Sequence, residues 1–420
     1  MVQAPDIGPE AAGDSDGCGR GPAGSGDPET IVIVGGGFGG LYTALALAER
    51  PQHPPILLIE PNEQFLFLPL LYELLSGELR GWEVAPRYAT LLAGRGIAHL
   101  RDHVERIDAD GHRLHTRGGQ TIPYRQLVLA SGGHSTTFGV PGAERHCLGF
   151  RSLNDIERLQ RLLTTLQRTR RPLQRLAVVG AGATGVELAC KLADLGAGEL
   201  VVELIEQGPQ LLPLGRAFNR EQAELALKRR DVRLRTHTAV VAVEADHLLL
   251  RRTDLPVAPG SAPVRDETLP TAGVIWTAGL GFRPPTIHPS PPLDGRGRLR
   301  CENSLQLRGQ PDLFVVGDLA CIEADGSPLP STAQVAFQQA PVLAANLLRA
   351  RAGDRLQPFQ WTDLGEMLSL GRGEASLCGG GITLAGRTAF RLRQLAYLSR
   401  MPGLGHTLRV AVGWLADWRP

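Results

Sequence analysis

The sequence contains the same strand–glycine–helix–strand–acid pattern twice, and this repeat constrains the fold more than any other feature. The first copy begins with the apolar run 31–34, which predicts a strand buried on both faces. Gly35, Gly37 and Gly40 follow in a GxGxxG fingerprint, and a helix-like segment comes next. The three glycines permit a tight turn, close approach of the backbone to a pyrophosphate, and close helix–strand packing, respectively. A second apolar run ends at Glu60, 20 residues after Gly40, where a carboxylate can bond a ribose diol.

The second copy starts at the apolar run 176–179 and carries Gly180, Gly182 and Gly185 in the same spacing. Its acid is Glu206, 21 residues after the last glycine. A lone fingerprint is weak evidence, whereas strand, glycines, helix, strand and acid in register are strong evidence. One copy could be degenerate and bind nothing, but both fingerprints are intact. Two intact fingerprints predict two dinucleotides, an arrangement typical of a flavin that takes electrons from a nicotinamide.

Three further apolar runs, at 127–129, 274–276 and 313–316, end in small residues. We interpret the first two as crossings between two nucleotide domains. The third ends in a Gly-Asp pair, whose aspartate can bond a flavin's ribityl hydroxyl or bridge to its pyrophosphate, although such a pair alone is more often a turn. The cofactor-binding residues predicted at these strand ends are Ser131, Gly132, Gly279, Gly317 and Asp318.

The predicted fold class is therefore α/β, with two Rossmann-like dinucleotide-binding domains, the second inserted in the first, and a C-terminal amphipathic segment. The 51 glycines and 31 prolines exceed average usage, and part of that excess lies in an N-terminal tail and in Pro-rich stretches within 253–296. The predicted division is a disordered tail at 1–29, an FAD domain at 30–150 and 283–358, an NAD(P)H domain at 151–282, and a membrane-association or dimerisation segment at 359–420.

Composition excludes several other classes of protein. A formal net charge of +1 gives no general attraction to nucleic acid. No apolar run is long enough to predict a transmembrane helix, and the first 29 residues lack the features of a signal peptide. The six cysteines are dispersed without a CxxC pair, so we expect free thiols and neither a metal site nor a dithiol centre.

The last 35 residues are basic and amphipathic. They contain six arginines and one acid, Asp417. Apolar side chains recur there at helical spacing, with Trp414 nearby. This pattern predicts a helix in a membrane interface with tryptophan at headgroup depth. The alternative is a helix pair that packs on the protein itself or on the partner in a homodimer. The periodic apolar residues are Leu408, Ala411, Val412, Leu415 and Trp418.

Taken together, these motifs resemble the two-dinucleotide-binding-domain flavoproteins, and within them the type II NAD(P)H:quinone oxidoreductases, over residues 30–420. The stretches that carry the resemblance are IVIVGGGFGGLYTAL, FLPLLYELLSGEL, VVGAGATGVELA, VIWTAG, FVVGDLA and STAQVAFQQA. The cyanobacterial and plastid subgroup is the most similar, through FLPLLYELLSGELRGWEVAP, LGEMLSLGRGEASLCGGGITL and LAYLSRMPGLGHTLRVAVGWL. Reduction of demethylphylloquinone in phylloquinone biosynthesis is the activity that this subgroup implies.

The resemblance implies roles for individual residues. Gly35, Gly37, Phe38, Gly39, Gly40, Glu60 and Asp318 fall on the FAD-binding motifs, and Gly180, Gly182, Gly185 and Glu206 fall on the nicotinamide-nucleotide fingerprint. Glu187 matches a family glutamate near the nicotinamide. The motif containing Ala333, Gln334, Gln338 and Gln339 matches the element that lines the quinone channel beside the flavin.

The spacing of two glutamines makes physical sense in such a channel. Gln334 and Gln338 are four residues apart, so one helix face presents both amides. An uncharged amide can donate to a quinone carbonyl in an apolar slot. On spacing alone, a helix with merely solvated glutamines is the simpler interpretation, and the surrounding motifs favour the quinone.

The predicted activity is hydride transfer from NADH or NADPH to FAD, and then transfer of two electrons to a membrane quinone, a naphthoquinone or plastoquinone. Glu206, without a nearby arginine in sequence, favours NADH slightly. We expect a peripheral membrane protein on the cytoplasmic or stromal face.

Several alternatives remain open. The chain could be a respiratory-type NADH:plastoquinone or menaquinone dehydrogenase, or a slow-turnover flavin redox sensor at the membrane. It could also be a sulfide:quinone or disulfide oxidoreductase if Cys147, Cys321 and Cys378 meet in space.

Overall fold

The computed structural model describes residues 29–169, 174–254, 266–324 and 326–416. The predicted tail (apart from Glu29), most of the Pro-rich stretch 253–267, and Trp418 lie outside these ranges. The described residues contain eleven α-helices: α1 Phe38–Ala48, α2 Leu71–Leu75, α3 Gly81–Val84, α4 Tyr88–Leu92, α5 Ala143–His146, α6 Leu153–Thr169, α7 Ala183–Gly196, α8 Ala217–Arg229, α9 Ala333–Ala352, α10 Arg387–Leu398 and α11 Leu404–Ala416.

The first nucleotide pattern forms the centre of a five-stranded parallel sheet. Its strands, in spatial order, are Leu313–Val315, Gln126–Leu129, Ile31–Val34, Ile56–Ile59 and Ile97–Leu100. The central strand is buried along its whole length, as its uniformly apolar sequence predicts. Helices α1 and α9 pack against each other beside this sheet.

The second pattern forms the centre of a second five-stranded parallel sheet. Its strands, in spatial order, are Arg233–Arg235, Leu200–Ile205, Gln174–Val179, Gly273–Trp276 and Cys147–Leu148. The two predicted crossing strands therefore lie one in each sheet, and the segments that follow them, His134–Ser135 and Leu280–Gly281, pair with each other. Strand Cys147–Leu148 already belongs to the second sheet, three residues before the predicted boundary at 150.

Smaller sheets surround these two. A four-stranded sheet contains Thr286–His288, Val104–Asp108, Arg113–Thr116 and Thr121–Pro123, and a three-stranded sheet contains Thr238–Val243, His247–Arg252 and Glu267–Pro270. Short two-stranded pairs join Leu299–Arg300 with Ala320–Cys321 and Glu323–Ala324 with Ser327–Pro328.

The C-terminal segment contacts both nucleotide domains. It starts with a three-stranded antiparallel sheet of Glu366–Ser369, Ala375–Gly379 and Ile382–Gly386, and continues into α10 and α11. Leu368 packs into the core of the second domain, while Val410 of α11 packs into the core of the first. Within the described residues, no helix combines the length and apolar character needed to cross a membrane.

Helix α2 belongs in sequence to the first domain, but its apolar side chains pack into the core of the second. Leu71, Tyr72 and Leu75 join the cluster that contains the residues of α6, α7 and the strand at 174–179. The interface between the domains is therefore built around α2, α7 and the C-terminal segment.

Candidate functional site

The two glycine loops have the same geometry. Gly35 and Gly180 adopt φ values of +101° and +99°, a left-handed region that L side chains rarely occupy. A Cβ on Gly40 or on Gly185 would lie 1.8 Å from the carbonyl oxygen of the first glycine in its own loop. Only glycine allows the helix to approach the strand this closely.

The second glycine of each loop faces open space. A Cβ on Gly37 or Gly182 would meet no atom within 4 Å. Each of these glycines is also the residue before a helix, α1 or α7, so free backbone N–H groups and the positive end of the helix dipole face the same space. This cradle fits a pyrophosphate in both domains.

Each loop is also tied to the predicted acid of its domain. Glu60 accepts hydrogen bonds from Gly36 N at 2.7 Å and from Asn62 N at 3.0 Å. Glu206 accepts from Ala181 N at 2.8 Å and from Gly208 N at 2.8 Å. The carboxylates are therefore fixed at the ends of their strands, where a ribose diol would reach them.

The first loop opens into a cavity of about 1090 Å³. Seven further predicted residues line it together with Gly35, Gly37 and Glu60. These are Phe38, Gly39, Ser131, Gly132, Gly317, Asp318 and Ala333. Gly40 does not line the cavity because it packs against Gly35. Arg151, a cation from the second domain, also lines this cavity and was not predicted from the sequence.

Polar groups in this cavity fit a flavin dinucleotide. The Ser331 hydroxyl lines the cavity and is buried without a hydrogen-bond partner among the described residues. Burial raises the pKa of Asp318, and the positive charges of Arg151 and Arg298 partly offset this increase. A ribityl hydroxyl or pyrophosphate would satisfy these groups, as the sequence predicts for Asp318.

The second loop borders a smaller cleft of about 390 Å³, which contains the predicted Gly180, Gly182, Glu206 and Gly279. Gly185 stays outside it because it packs against Gly180. Phe138, which was not predicted from the sequence, also lines the cleft and is 70% exposed. The only feature of the sequence that could have indicated Phe138 is its position, directly before a glycine in a segment that crosses between the domains.

The two glutamines predicted to face a quinone have other partners in this structure. Gln334 donates to Gly365 O at 3.1 Å and accepts from Leu364 N at 3.1 Å. Gln338 donates to Thr362 O at 2.9 Å and accepts from Thr362 N at 3.1 Å. Both amides therefore hold the backbone of residues 362–365, and their contact with a quinone stays a prediction.

The next glutamine supports the flavin cavity. Gln339 is 1% exposed and accepts a hydrogen bond from Gly317 N at 2.7 Å. It fixes the turn that presents Asp318. Nearby, an aromatic cluster links α1 and α9 through Phe38, Tyr42 and Phe337.

Glu187 lies on α7 at the interface between the domains. Its side chain is 9% exposed and accepts a hydrogen bond from Ser369 N at 2.7 Å. Burial raises the pKa of Glu187 to about 7, although Arg393 and the Ser369 amide lower it. Arg393, counted in the sequence as part of a basic surface, is instead 1% exposed and pairs with Glu73.

The described cysteines are all free, and two of them are neighbours, because Cys301 N donates to Cys321 O at 3.0 Å. Cys147, Cys321 and Cys378 occupy three different sheets. Burial raises the pKa of the Cys147 thiol to about 12, which disfavours the thiolate that dithiol chemistry requires. Cys18 lies outside the described residues.

The C-terminal helices expose an apolar stripe. On α11, Leu404, Leu408, Val412 and Leu415 are 56–73% exposed. Trp414 does not join them, because it packs against the core of the first domain. The exposed indole nearby is that of Trp82, which is edge-on to His406 of α11.

Two acid-anchored glycine cradles on two parallel sheets define a flavoprotein with two dinucleotide-binding domains. Residues 29–340 match the model of the pyridine nucleotide-disulphide oxidoreductase family. The chain belongs to that family, and within it to the type II NAD(P)H:quinone oxidoreductases.

Two similar proteins illustrate this membership. The demethylphylloquinone reductase NdbB of Synechocystis is 36% identical over 92% of this chain and 97% of its own length. The alternative NAD(P)H-ubiquinone oxidoreductase C1 of Arabidopsis thaliana, chloroplastic/mitochondrial, is 34% identical over 92% of this chain and 80% of its own length.

A solved structure shares the fold. NDH2 from Plasmodium falciparum, determined in complex with NADH, superposes with a TM-score of 0.79 over 94% of this chain and 99% of that one, at 17% identity. The predicted family, the α/β fold with two Rossmann-like sheets, and the use of FAD and NAD(P)H are confirmed.

Proposed function

We propose that this enzyme reduces a membrane naphthoquinone with NAD(P)H, using FAD as its bound electron carrier. The observation that carries the proposal is the presence of two complete dinucleotide cradles, with no cysteine among the residues that line the flavin cavity. Electrons from the nicotinamide therefore have no cysteine acceptor among the residues that line this cavity. The names of the similar proteins agree with a quinone acceptor.

FAD would be held by the cradle at Gly37 and by Asp318, and when bound it would supply a two-electron acceptor for the hydride of NAD(P)H and a two-electron donor to the quinone. The overall reaction converts NAD(P)H, a proton and a quinone into NAD(P)⁺ and a quinol, so one proton must be supplied. The chain contributes binding and orientation through the loops at Gly37 and Gly182. Glu187 can hold a proton at neutral pH between the two domains.

The choice of a naphthoquinone as substrate rests on similarity to the Synechocystis protein over nearly its full length. A second candidate is a respiratory-type dehydrogenase acting on plastoquinone, a benzoquinone like the ubiquinone in the name of the Arabidopsis relative. Steady-state NADH oxidation with demethylphylloquinone and with a short-chain plastoquinone separates them. We expect a higher kcat/KM for demethylphylloquinone, and the reverse order would contradict the proposal.

An anaerobic experiment with the same quinones tests whether the protein turns over as an enzyme. Anaerobic NADH should bleach the flavin absorbance, and addition of the quinone should restore it. A slow-turnover redox sensor would be reduced by NADH but would show no sustained oxidation of NADH in the presence of quinone. Failure of NADH to bleach the flavin would reject the oxidoreductase mechanism itself.

We further propose that the exposed stripe of α11 docks the enzyme on the membrane that holds its substrate, on the cytoplasmic or stromal face. Leu404, Leu408, Val412 and Leu415 form one face, and Arg409 lies on the same helix. Such a helix suits the boundary between headgroups and acyl chains.

Flotation with anionic vesicles tests this docking. Leu408→Asp combined with Val412→Asp should release the protein from the vesicles. Leu214→Asp, which changes a fully exposed leucine elsewhere, should not. If the double variant instead converts a dimer into a monomer in light scattering and still binds vesicles, the stripe is a dimer interface.

A further inference from the structure

A buried charged cluster joins the two domains and the C-terminal segment. Glu73 comes from α2, Glu187 from α7 and Arg393 from α10. The Glu73 and Arg393 side chains are 2% and 1% exposed. Two carboxyl groups thus share one guanidinium in a region shielded from water.

The distances show how the guanidinium is shared. Arg393 Nη1 lies 2.5 Å from Glu73 Oε1, whereas Nη2 lies 3.8 Å from Glu187 Oε1. Arg393 Nη2 also donates to Pro69 O at 2.7 Å, and Pro69 lines the flavin cavity. Arg393 is therefore bonded to Glu73 and to the cavity wall, and it acts on Glu187 from a longer distance.

The charge of the cluster does not balance when both carboxyls are ionised. A buried group with a net negative charge is stabilised by taking up a proton. Glu73 holds the shorter bond to Arg393, so Glu187 is the carboxyl group that the guanidinium compensates less. Among the described residues, Glu73 Oε2 and Arg393 Nε are buried without hydrogen-bond partners. A buried network left partly unsatisfied is costly to stability, which favours a functional reason for it.

Other groups face Glu187 from each packed element. Tyr72 of α2 interacts electrostatically with Glu187 and Arg393, and burial raises the pKa of its hydroxyl. The Ser369 amide donates from the C-terminal sheet, and Cys190 lies on the same helix as Glu187. Tyr397 of α10 lies beneath the Arg393 guanidinium, 4.7 Å from its ring centre. Glu73 and Arg393 are the acid and the base of this set that lie nearest to each other, as an ion pair.

We propose that Glu73 and Arg393 are positioning residues that set the protonation of Glu187, with Glu73 competing for the guanidinium that would otherwise hold Glu187 ionised. One part of this proposal rests on the proposed function: that the proton held by Glu187 at the domain interface is used in quinone reduction. The sharing of charge itself is a property of the resting protein.

Two substitutions should move the titration of Glu187 in opposite directions. Glu73→Gln removes a negative charge and frees Arg393 to attract ionised Glu187, so Glu187 should lose its proton at a pH lower by at least about one unit. Arg393→Gln removes the attracting cation, so Glu187 should stay protonated to higher pH. A role limited to structural support would not produce opposite shifts.

Infrared spectroscopy of the resting holoenzyme provides a readout independent of turnover. The carbonyl band of a protonated carboxyl is followed against pH and assigned by its absence in Glu187→Gln. The control is Glu203→Gln, which removes another buried carboxylate paired with arginines in the same domain and does not act on Glu187. We expect the control to leave the titration of Glu187 in place.

The outcomes separate the two proposals. No shift in Glu73→Gln, or shifts of the same sign in both variants, would overturn the coupling. If Arg393→Gln does not fold, Glu73→Gln alone decides. Opposite infrared shifts matched by the pH profile of kcat with quinone support the whole proposal. The same infrared shifts with an unchanged kcat profile would establish the coupling and reject the role of Glu187 in turnover.

Discussion

Glu206 accepts a hydrogen bond from the backbone N–H of Ala181 at 2.8 Å, which fixes a carboxylate against the loop that cradles the nicotinamide dinucleotide. The residues that line the described cleft include no arginine or lysine. A 2′-phosphate would meet this negative charge without a compensating cation. We therefore expect kcat/KM for NADH to exceed that for NADPH by about tenfold or more.

Glu206→Gln should narrow this preference to a few-fold by removing the repulsion. Glu267→Gln is the matched control, because Glu267 is an exposed acid of the same domain that pairs with Arg235 and does not line the cleft. Equal kcat/KM values for NADH and NADPH in the unaltered enzyme would contradict the role of Glu206 in excluding the 2′-phosphate. Stopped-flow reduction of the flavin with each nucleotide measures it directly.

A second prediction concerns Gln334 and Gln338, which hold the backbone of residues 362–365. Replacing either one by Ala removes two hydrogen bonds, so each variant should lose about 1–3 kcal/mol of stability. Release of this segment should raise the KM for quinone more than it lowers kcat. Thermal unfolding and quinone kinetics measured on the same preparations test this.

The comparison with Gln338→Glu refines the test. Glutamate keeps the acceptor for Thr362 N but cannot donate to Thr362 O. It should therefore destabilise the protein and raise the KM for quinone, as Ala does. If Gln338→Ala instead abolishes quinone turnover while thermal stability stays unchanged, the amide acts on the quinone directly.

The sequence predicted both nucleotide sites because their determinants are local. Each fingerprint places its glycines, strand and acid within about 30 residues, and the backbone geometry at Gly35 and Gly180 follows from that pattern. The partners of Glu187 were not predictable in this way. They come from segments more than 100 residues away in both directions, and Arg393 appears in the sequence as one of several basic tail residues.

A third prediction concerns Phe138, whose ring covers Gly279 at the nicotinamide cleft. Phe138 adopts φ +53°, an unusual conformation for a bulky residue, and its amide donates to Thr136 Oγ1 at 3.2 Å. An exposed aromatic ring held in this way can pack on a bound nucleotide. Phe138→Ala should raise the KM for NADH about fivefold and leave the FAD content unchanged.

Phe138→Tyr keeps the ring and serves as the control, so its KM for NADH should stay close to that of the unaltered enzyme. An unchanged KM in the alanine variant would show that the ring does not contact the nucleotide. Loss of FAD would indicate instead that the crossing segment supports the first domain.

The last prediction follows from the burial of Glu187. Burial raises its pKa from 4.5 to about 7, so the folded protein binds a proton more tightly than the unfolded chain does. The resulting stabilisation is complete below about pH 4.5 and is lost as the pH rises through about 7. It amounts to about 3 kcal/mol. Glu187→Gln has no carboxyl group to titrate, so its free energy of unfolding does not change with pH for this reason. Its stability relative to the unaltered enzyme should therefore improve by about 3 kcal/mol between about pH 5 and about pH 8. Thermal unfolding of both holoenzymes across this range checks it, and a constant difference in Tm would show that Glu187 stays ionised in the folded protein.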